Sequence, residues 1–174
     1  LNLAPTARTT VALALGDALA IVLLEMRGFR TDDFALTHPA GALGRRLFIK
    51  VLDIMQTGES LPTIQPSKSI AEAILEISAK RMGMTCVVGT NFEALGILTD
   101  GDLRRIIGKG VDIQKTVVEK AMSKKAYSIE QHSLASEAAL KMENLKINHL
   151  LVLDEKKKLV GAIGIHDLLE AKIL

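Results

Sequence analysis

The chain has very few of the residues that form stacking surfaces. Its 174 residues include no Trp, one Tyr and four Phe, so aromatic residues make up only 3%. Proteins that bind nucleic acid without sequence preference stack bases on aromatic side chains and attract the phosphate backbone with a basic groove. The net charge of +2 is too small to create such a field. The composition therefore argues against a nucleic-acid-binding protein.

Cysteine is almost absent. The single cysteine, Cys86, cannot form an internal disulfide, and it lies in the apolar run Thr85-Cys86-Val87-Val88. We expect a buried structural thiol and a cytoplasmic location. The apolar content of 48% and the charged content of 24% are typical of a soluble globular protein. The length suffices for one sizeable domain or two small ones.

A membrane-spanning segment is not expected. The longest apolar run, residues 12–26, contains Asp17 and Glu25 and is shorter than the roughly 20 residues that a spanning helix needs. It also lacks the basic residues that precede the apolar region of a signal peptide. The run predicts instead a helix packed in a protein interior.

This N-terminal helix is predicted to begin at a cap formed by Thr9 or Thr10 and to end at Gly28. Its residues are apolar nearly all round, so both of its faces need cover. Since the chain begins at Leu1 rather than Met, we expect a piece of a longer protein. The partners of the helix are then expected either in the remainder of that protein or in another chain.

From residue 51 onward the sequence repeats itself at a separation of about 65 residues. A constant offset over several blocks is the signature of an internal duplication. The matched blocks are Val51–Met55 with Val118–Met122, Leu61–Ile64 with Ala126–Ile129, Glu72–Leu75 with Glu137–Leu140, Cys86–Val88 with Leu151–Leu153, and Gly96–Leu103 with Gly161–Leu168.

Each copy is predicted to contain a short strand, a helix, two strands and a second helix, which makes the fold class α+β. In the first copy, Ser69-x-x-Glu72 is a capping-box pattern that opens a helix. The runs 85–88 and 95–98 are rich in aliphatic residues and indicate a hairpin. A unit of about 60 residues has a thin core, so we expect the two copies to pack against each other.

The stretch Gly96–Arg105 is the most informative part of the chain. A buried strand ends at Leu98, and Thr99 to Asp102 supply the polar turn that opens a helix. Such a corner presents free backbone N–H groups, a hydroxyl and carboxylates, with two arginines one turn later. These groups suit a ribose and phosphates. Plain helix capping by Thr99 and Asp102 is the alternative, and it is compatible with binding.

The order of elements, the opening Asp53-Ile54-Met55 and the closing pattern Gly96-x-x-Thr99-x-x-Asp102 resemble a cystathionine-β-synthase (CBS) domain. Two such domains in tandem, over residues 48–112 and 113–174, resemble a CBS pair, or Bateman module. The resemblance implies two βαββα units related by a pseudo-two-fold axis, with clefts that often bind nucleotides. By the same resemblance the ligand-binding residues are Thr63, Met84, Thr85, Thr99, Asp102, Arg104 and Arg105.

The second copy departs from this pattern. Gly164 stands where the first copy has Thr99, and His166 precedes Asp167. Asn148 and His149 stand at the start of the matching strand. We therefore include Asn148, His149, His166 and Asp167 among the predicted ligand-binding residues, with polar lining as the alternative for the histidines. The two clefts are expected to be unequal.

Residues 1–47 resemble the C-terminal end of a sugar isomerase (SIS) domain, helical in character. The patterns are Ala4-Pro5-Thr6-x-x-Thr9-Thr10, Gly16–Ala20 and His38-Pro39-x-Gly41-x-Leu43-Gly44-Arg45-Arg46. They are similar to the arabinose-5-phosphate isomerases, in which a CBS pair follows the SIS domain. The resemblance makes His38 a catalytic residue of the intact enzyme, although a His before Pro is by itself more often a cap or surface residue. The chain alone is expected to have no isomerase activity.

For the ligand, two alternatives follow from this resemblance. Those isomerases supply the lipopolysaccharide sugar Kdo, so the cleft is expected to sense CMP-Kdo, with AMP or ATP as the alternative. A purely structural, oligomer-forming module is the third possibility. No required cofactor and no metal are expected. The expected partners are a regulatory small molecule and further copies of the chain, as a CBS-pair dimer and as a tetramer in the intact enzyme, without nucleic acid or membrane.

Overall fold

The computed structural model describes residues 6–30, 33 and 42–174, and the chain divides into two compact units, residues 1–44 and residues 45–174. The catalytic histidine predicted at position 38 lies outside the described residues. The first unit contains helix α1 (Thr6–Met26), and Gly28 follows it in the left-handed conformation (φ +64°), as expected for a helix terminator.

The prediction that Thr9 or Thr10 caps α1 is wrong. The helix already begins at Thr6, and both hydroxyls donate back to the Thr6 carbonyl oxygen at 2.9 Å. Threonine side chains within a helix often make this bond to the carbonyl three or four residues earlier. Both residues therefore lie inside the helix, and their hydroxyls bond to the turn before them.

Helix α1 is longer than the apolar run from which it was predicted. Its most apolar 18-residue window has a mean hydropathy of 1.8, and none of its 21 residues is buried. By length and composition alone it is the one described helix that could cross a membrane, a criterion that core helices of soluble proteins also meet. Its apolar side chains, from Val11 to Leu24, therefore lack cover within the described part of the chain.

The second unit contains two copies of the predicted order of elements. Helix α2 (Ala42–Phe48) leads into it. The first copy comprises β1 (Thr63–Ile64), α3 (Ile70–Lys80), β2 (Met84–Val88), β3 (Ala94–Thr99) and α4 (Asp100–Gly108). The second copy comprises β4 (Ser128–Glu130), α5 (Ala135–Leu145), β5 (His149–Leu153), β6 (Leu159–Gly164) and α6 (Ile165–Glu170).

Each copy forms a sheet of three strands with the same topology. The first strand pairs in parallel with the second, and the second pairs antiparallel with the third. Met84 stands opposite Thr99 in the first sheet, and His149 stands opposite Gly164 in the second. The α+β duplication predicted from the sequence is thus confirmed, strand by strand.

Local sequence explains where the helices begin and end. The predicted capping box at α3 is present: the Glu72 N–H donates to the Ser69 hydroxyl at 3.2 Å, and the Ser69 N–H donates to the Glu72 carboxylate at 2.8 Å. The chain leaves α3 at Arg81 and α5 at Lys146, and both residues are left-handed, with φ of 55° and 53°. The matching helix ends show that the two copies share their backbone conformation as well as their sequence pattern.

Short segments cross reciprocally between the copies. We name residues 49–56 the first strap and residues 116–123 the second strap. The first strap precedes the first copy but bonds to the second: Val51 N–H donates to Ser133 O at 2.9 Å, and Gln56 N–H donates to Ala162 O at 2.8 Å. The second strap bonds to the first copy through Ser123 and Ile97, whose N–H groups each donate to the other's carbonyl. Each copy is therefore completed by the strap of the other.

The core follows this exchange. Val51 of the first strap is fully buried among the side chains of the second copy, and Val118 of the second strap is buried among those of the first. A third apolar cluster lies between the two sheets and includes Cys86, Leu151 and Ala162. It confirms that the copies pack against each other. Burial raises the pKa of the Cys86 thiol to about 12, in agreement with the predicted structural role.

Glycines make the strap crossings possible. A Cβ atom at Gly96 would lie 2.6 Å from the Ser123 carbonyl oxygen, and one at Gly161 would lie 2.8 Å from the Gln56 carbonyl oxygen. Any larger side chain would displace the strap. The first residue of the Gly-x-x-Thr-x-x-Asp pattern thus serves the packing between copies.

Candidate ligand cleft

A cleft of about 820 Å³ lies between the two copies. Both copies contribute to its wall. The polar residues in its lining are Ser78, Arg81, Thr99, Asp100, Asp102, Arg104, Arg105, Ser123, Lys125, Tyr127, Lys146, Asn148, His149 and His166. A cleft of this size is in the range that accommodates a small organic ligand.

The corner between β3 and α4 forms one side of this cleft. The Thr99 hydroxyl donates to the Asp102 carboxylate at 2.7 Å, and the Thr99 N–H donates to the same oxygen at 2.9 Å. The Asp102 N–H returns a bond to the Thr99 hydroxyl at 3.3 Å. The second carboxylate oxygen of Asp102 pairs with the Arg105 guanidinium. The corner is therefore a complete capping box with an arginine attached to its carboxylate.

Positive charge predominates in the lining. Five cationic side chains line the cleft, against the carboxylates of Asp100 and Asp102. Asp102 is already paired with Arg105, and the guanidinium of Arg104 donates to the Asp100 backbone oxygen at 3.3 Å. Within the described ranges, no three His, Cys, Asp or Glu side chains gather so as to hold a metal ion. The electrostatics favour an organic anion such as a phosphate ester.

Arg81 and Lys146 occupy equivalent positions in the two copies. Both stand at the left-handed stop of a helix, and both line the same cleft. Neither side chain has a hydrogen bond or an ion pair with any residue that the structure describes. Cations without a protein partner are available for an anionic ligand.

His149 links the two copies at the base of the cleft. A Cβ atom at Gly83 of the first copy would lie 3.8 Å from its ring, and one at Gly164 would lie 3.3 Å from its Cδ2 atom. Burial lowers the pKa of His149, while a backbone hydrogen bond with Met82 and the nearby carboxylates oppose that effect. The ring is thus held as a largely buried polar group between the copies.

The structure brings seven of the predicted ligand-binding residues together in this cleft. They are Thr99, Asp102, Arg104, Arg105, Asn148, His149 and His166.

The other four predicted residues lie outside the lining. Thr63 is half-buried on β1, where its N–H donates to the Glu76 carboxylate at 3.3 Å. Met84 and Thr85 are completely buried in β2. Asp167 accepts the Gln56 side-chain amide at 2.7 Å and the Gly164 N–H at 2.7 Å.

Five polar lining residues with charged or aromatic side chains were not predicted. They are Arg81 and Lys146 at the helix stops, Asp100 at the start of α4, and Lys125 with Tyr127 after the second strap. The Lys125 ammonium lies 5.5 Å from the centre of the Tyr127 ring, a cation–π distance. The 65-residue offset would have paired Arg81 with Lys146. Asp100 lies between Thr99 and Asp102 in the polar turn that the sequence indicated. No pattern in the sequence points to Lys125 and Tyr127, because they reach the cleft through the packing of the copies.

The family of the chain follows from a comparison with protein-family models. The model of the CBS domain matches residues 51–109 and residues 118–173. The chain belongs to the CBS domain family. Both matched segments begin in a strap, at Val51 and at Val118. The CBS resemblance stated from the sequence is therefore confirmed.

Curated relatives extend the similarity beyond the two CBS domains. The chain is 47% identical over all of its 174 residues to the arabinose 5-phosphate isomerase KdsD of Pseudomonas aeruginosa. It covers 53% of that protein, so the chain spans about half the length of the curated relatives it matches. The similarity includes residues 1–47, for which the sequence indicated a resemblance to the same isomerases.

Solved structures support the fold. The chain is similar to a CBS-domain-containing protein from Agrobacterium tumefaciens, with 28% identity and a TM-score of 0.63 over 71% of this chain and 93% of that one. It is also similar to a CBS domain protein from Pyrobaculum aerophilum complexed with AMP, with 18% identity and a TM-score of 0.63 over 69% of this chain and 90% of that one.

Proposed function

We propose that the CBS pair binds an anionic nucleotide or nucleotide sugar in the cleft between its copies and thereby regulates a sugar-phosphate isomerase. The observation that carries this proposal is the convergence of the Thr99–Asp102 corner with five cationic side chains in one cleft, where Arg81 and Lys146 have no hydrogen-bond or ion-pair partner in the part of the chain that the structure describes. The hydroxyl and carboxylate of the corner suit a ribose. The arginines and lysines suit phosphate or carboxylate oxygens.

Our preferred ligand is CMP-Kdo, which carries both a phosphate and a carboxylate. Arg104 and Arg105 line the cleft one turn after the corner, and arginine takes either group in a bidentate manner. An adenine nucleotide is the alternative. The Pyrobaculum aerophilum CBS protein is complexed with AMP. The similarity of that protein to this chain supports the fold. The titration described below tests which nucleotide base the cleft prefers.

The activity that the CBS pair would regulate is proposed from the curated relatives. A chain 47% identical to an arabinose 5-phosphate isomerase, over half of that enzyme's length, is proposed to be the regulatory part of a cytoplasmic isomerase of the same kind. That enzyme would interconvert ribulose 5-phosphate and arabinose 5-phosphate for the synthesis of Kdo. The chain itself is proposed to lack isomerase activity, which an assay of the purified chain with both pentose phosphates would test.

A thermal-shift titration tests the ligand. The chain would be titrated with CMP-Kdo, CMP, AMP and ATP, because a ligand that binds only the folded state raises the melting temperature. At 100 times the dissociation constant the gain is about 2.7 kcal/mol, or roughly 5–10 °C for a domain of this size. We expect the largest shift with CMP-Kdo. A larger shift with AMP or ATP would favour the adenine alternative.

A charge-matched control shows where the ligand binds. The double variant Arg104→Ala/Arg105→Ala should reduce the shift strongly. Lys156→Ala/Lys157→Ala removes the same charge from the exposed turn between β5 and β6 and should leave the shift unchanged. No shift with any of the four nucleotides would contradict the proposal.

A structural role is the second candidate, and it also rests on a specific observation. Leu75 on α3 and Leu140 on α5 occupy matched positions in the repeat and are 71% and 57% exposed. Two exposed leucines at equivalent positions of a duplicated module are typical of a surface that pairs with another copy. Light scattering of Leu75→Glu/Leu140→Glu against the natural chain would test this, with dissociation as the expected result.

A further inference from the structure

The two corners of the CBS pair differ in more than one residue. The 65-residue offset matches Thr99 with Gly164, and it matches the two arginines of the first corner with Leu169 and Glu170. The first corner therefore offers a hydroxyl and two positive charges. The second corner offers neither, and Glu170 adds a negative charge that would repel an anion.

The carboxylates of both corners accept hydrogen bonds, but from different partners: Asp102 bonds within its own corner, to Thr99 and Arg105, whereas Asp167 bonds to a strap. One oxygen of Asp167 accepts the Gln56 side-chain amide at 2.7 Å, and the other accepts the Gly164 N–H at 2.7 Å. Ser123 is the residue of the second strap that matches Gln56, and its side chain makes no hydrogen bond to Asp102 in the part of the chain that the structure describes. Of the two corner carboxylates, only that of Asp167 is therefore bonded to a strap.

The space beside Gly164 is filled by a side chain. The His149 ring lies so close that a Cβ atom at position 164 would be 3.3 Å from its Cδ2 atom. In the first corner the corresponding position carries the Thr99 side chain, which lines the open cleft. Asp102 also lines this cleft, whereas Asp167 does not.

We infer that the CBS pair binds one ligand per chain, at the Thr99–Asp102 corner, and that Asp167 is a structural residue that ties the first strap to the second copy. The part of the inference that concerns the ligand rests on the proposed function. The part that concerns Asp167 rests on the Gln56–Asp167 hydrogen bond. The strap's backbone strengthens the tie, since Gln56 and Ala162 exchange two N–H to carbonyl bonds at 2.8 and 3.1 Å.

Calorimetric titration with CMP-Kdo and with AMP tests the number of sites, and a matched pair of variants tests their location. We expect a stoichiometry of one in the natural chain. Asp102→Asn should weaken binding at least tenfold, whereas Asp167→Asn should leave the dissociation constant within about twofold. A stoichiometry of two, or a tenfold loss in Asp167→Asn, would overturn the inference and leave the proposed function intact.

Hydrogen exchange provides a second measurement that needs no ligand. Asp167→Ala and Gln56→Ala should each accelerate exchange of the first-strap amides at least tenfold, because each removes one partner of the Gln56–Asp167 hydrogen bond. Ser123→Ala, the matched change, should not affect the second strap. If neither CMP-Kdo nor AMP binds the natural chain, the proposed function fails, and hydrogen exchange alone tests the structural role of Asp167. Accelerated exchange would then sustain the structural role of Asp167, and unchanged exchange would overturn it.

Discussion

The imidazole of His149 lies against Gly164, its partner across the β5–β6 ladder. The same rung of the first copy pairs Met84 with Thr99. The two differences from the first copy at this rung are therefore in contact with each other. One strand carries a polar ring, and the facing residue has no side chain, which leaves room for the ring.

Gly164→Ala should destabilise the chain by about 1 kcal/mol, since the added methyl would crowd the His149 ring and overpacking typically costs this much. Urea denaturation measures the change. Adding His149→Ala should relieve most of the crowding, so the double variant should show a favourable coupling. Gly101→Ala is the control, because its Cβ atom would lie 3.6 Å from the nearest side-chain atoms. Equal losses in both glycine variants would contradict the contact.

Gly161→Ala should be more severe, with a loss of roughly 2–3 kcal/mol in the free energy of unfolding. The new methyl would meet the Gln56 carbonyl oxygen and the Met55 sulfur, each at 2.8 Å, and the strap backbone cannot rotate away. Gly108→Ala, at the end of α4, has no atom within 4 Å of the new methyl and should be neutral or slightly stabilising. Comparable denaturation midpoints for the two variants would show that the strap does not need glycine.

The stability of the chain should depend on pH through His149. Burial lowers the pKa of His149 in the folded chain, so between that value and the ordinary value of about 6.5 the unfolded chain binds more protons. Stability should therefore fall as the pH is lowered below about 6.5. The groups that face the ring are Asp100, Asp167 and His166. Unfolding free energies measured from pH 8 to pH 5 should fall more steeply for the natural chain than for His149→Met. Parallel curves would rule out this origin.

Thr85→Val should stabilise the chain by about 1 kcal/mol. The Thr85 hydroxyl is completely buried and has no hydrogen-bond partner among the described residues, so its desolvation is uncompensated. The matched residue of the second copy is Leu150, which is apolar and equally buried. Thr99→Val is the contrasting change, since it removes a capping hydroxyl and should destabilise by about 1 kcal/mol. A lower melting temperature for Thr85→Val would show that the hydroxyl is satisfied in the folded chain.

Much of the fold could be predicted because each element inferred in one copy of a duplicated sequence can be compared with its equivalent in the other. A capping pattern such as Ser69-x-x-Glu72 gains weight when the rest of the helix recurs one repeat later. Cys86 could be placed in the core because its neighbours are aliphatic. The exchange of straps could not be predicted. The offset shows that Val51 and Val118 are equivalent, but equivalence does not specify the copy against which each residue packs.

The geometry of the candidate cleft could be predicted where a single turn of chain determines it. Thr99 and Asp102 are three residues apart and meet through helix geometry alone. The CBS resemblance assigns Met84 and Thr85 to the cleft, but both are buried in the packed sheet and lie outside the cleft lining. The positions of Arg81 and Lys146 in the cleft depend on tertiary packing. Arg81 and its repeat equivalent lie in different copies, and only the packing of those copies brings both to one cleft.

The crossing of the straps also has a consequence for synthesis. Gln56 and Asp167 are 111 residues apart, so the first strap leaves the ribosome long before its binding surface exists. The core that buries Val51 includes Ile163 and Leu168, so it is complete only after the last strand and helix of the second copy have been made. Contacts of such sequence separation slow folding and leave apolar groups open to association in the meantime. The first strap of the nascent chain can therefore pack fully only after the last elements of the module have been made.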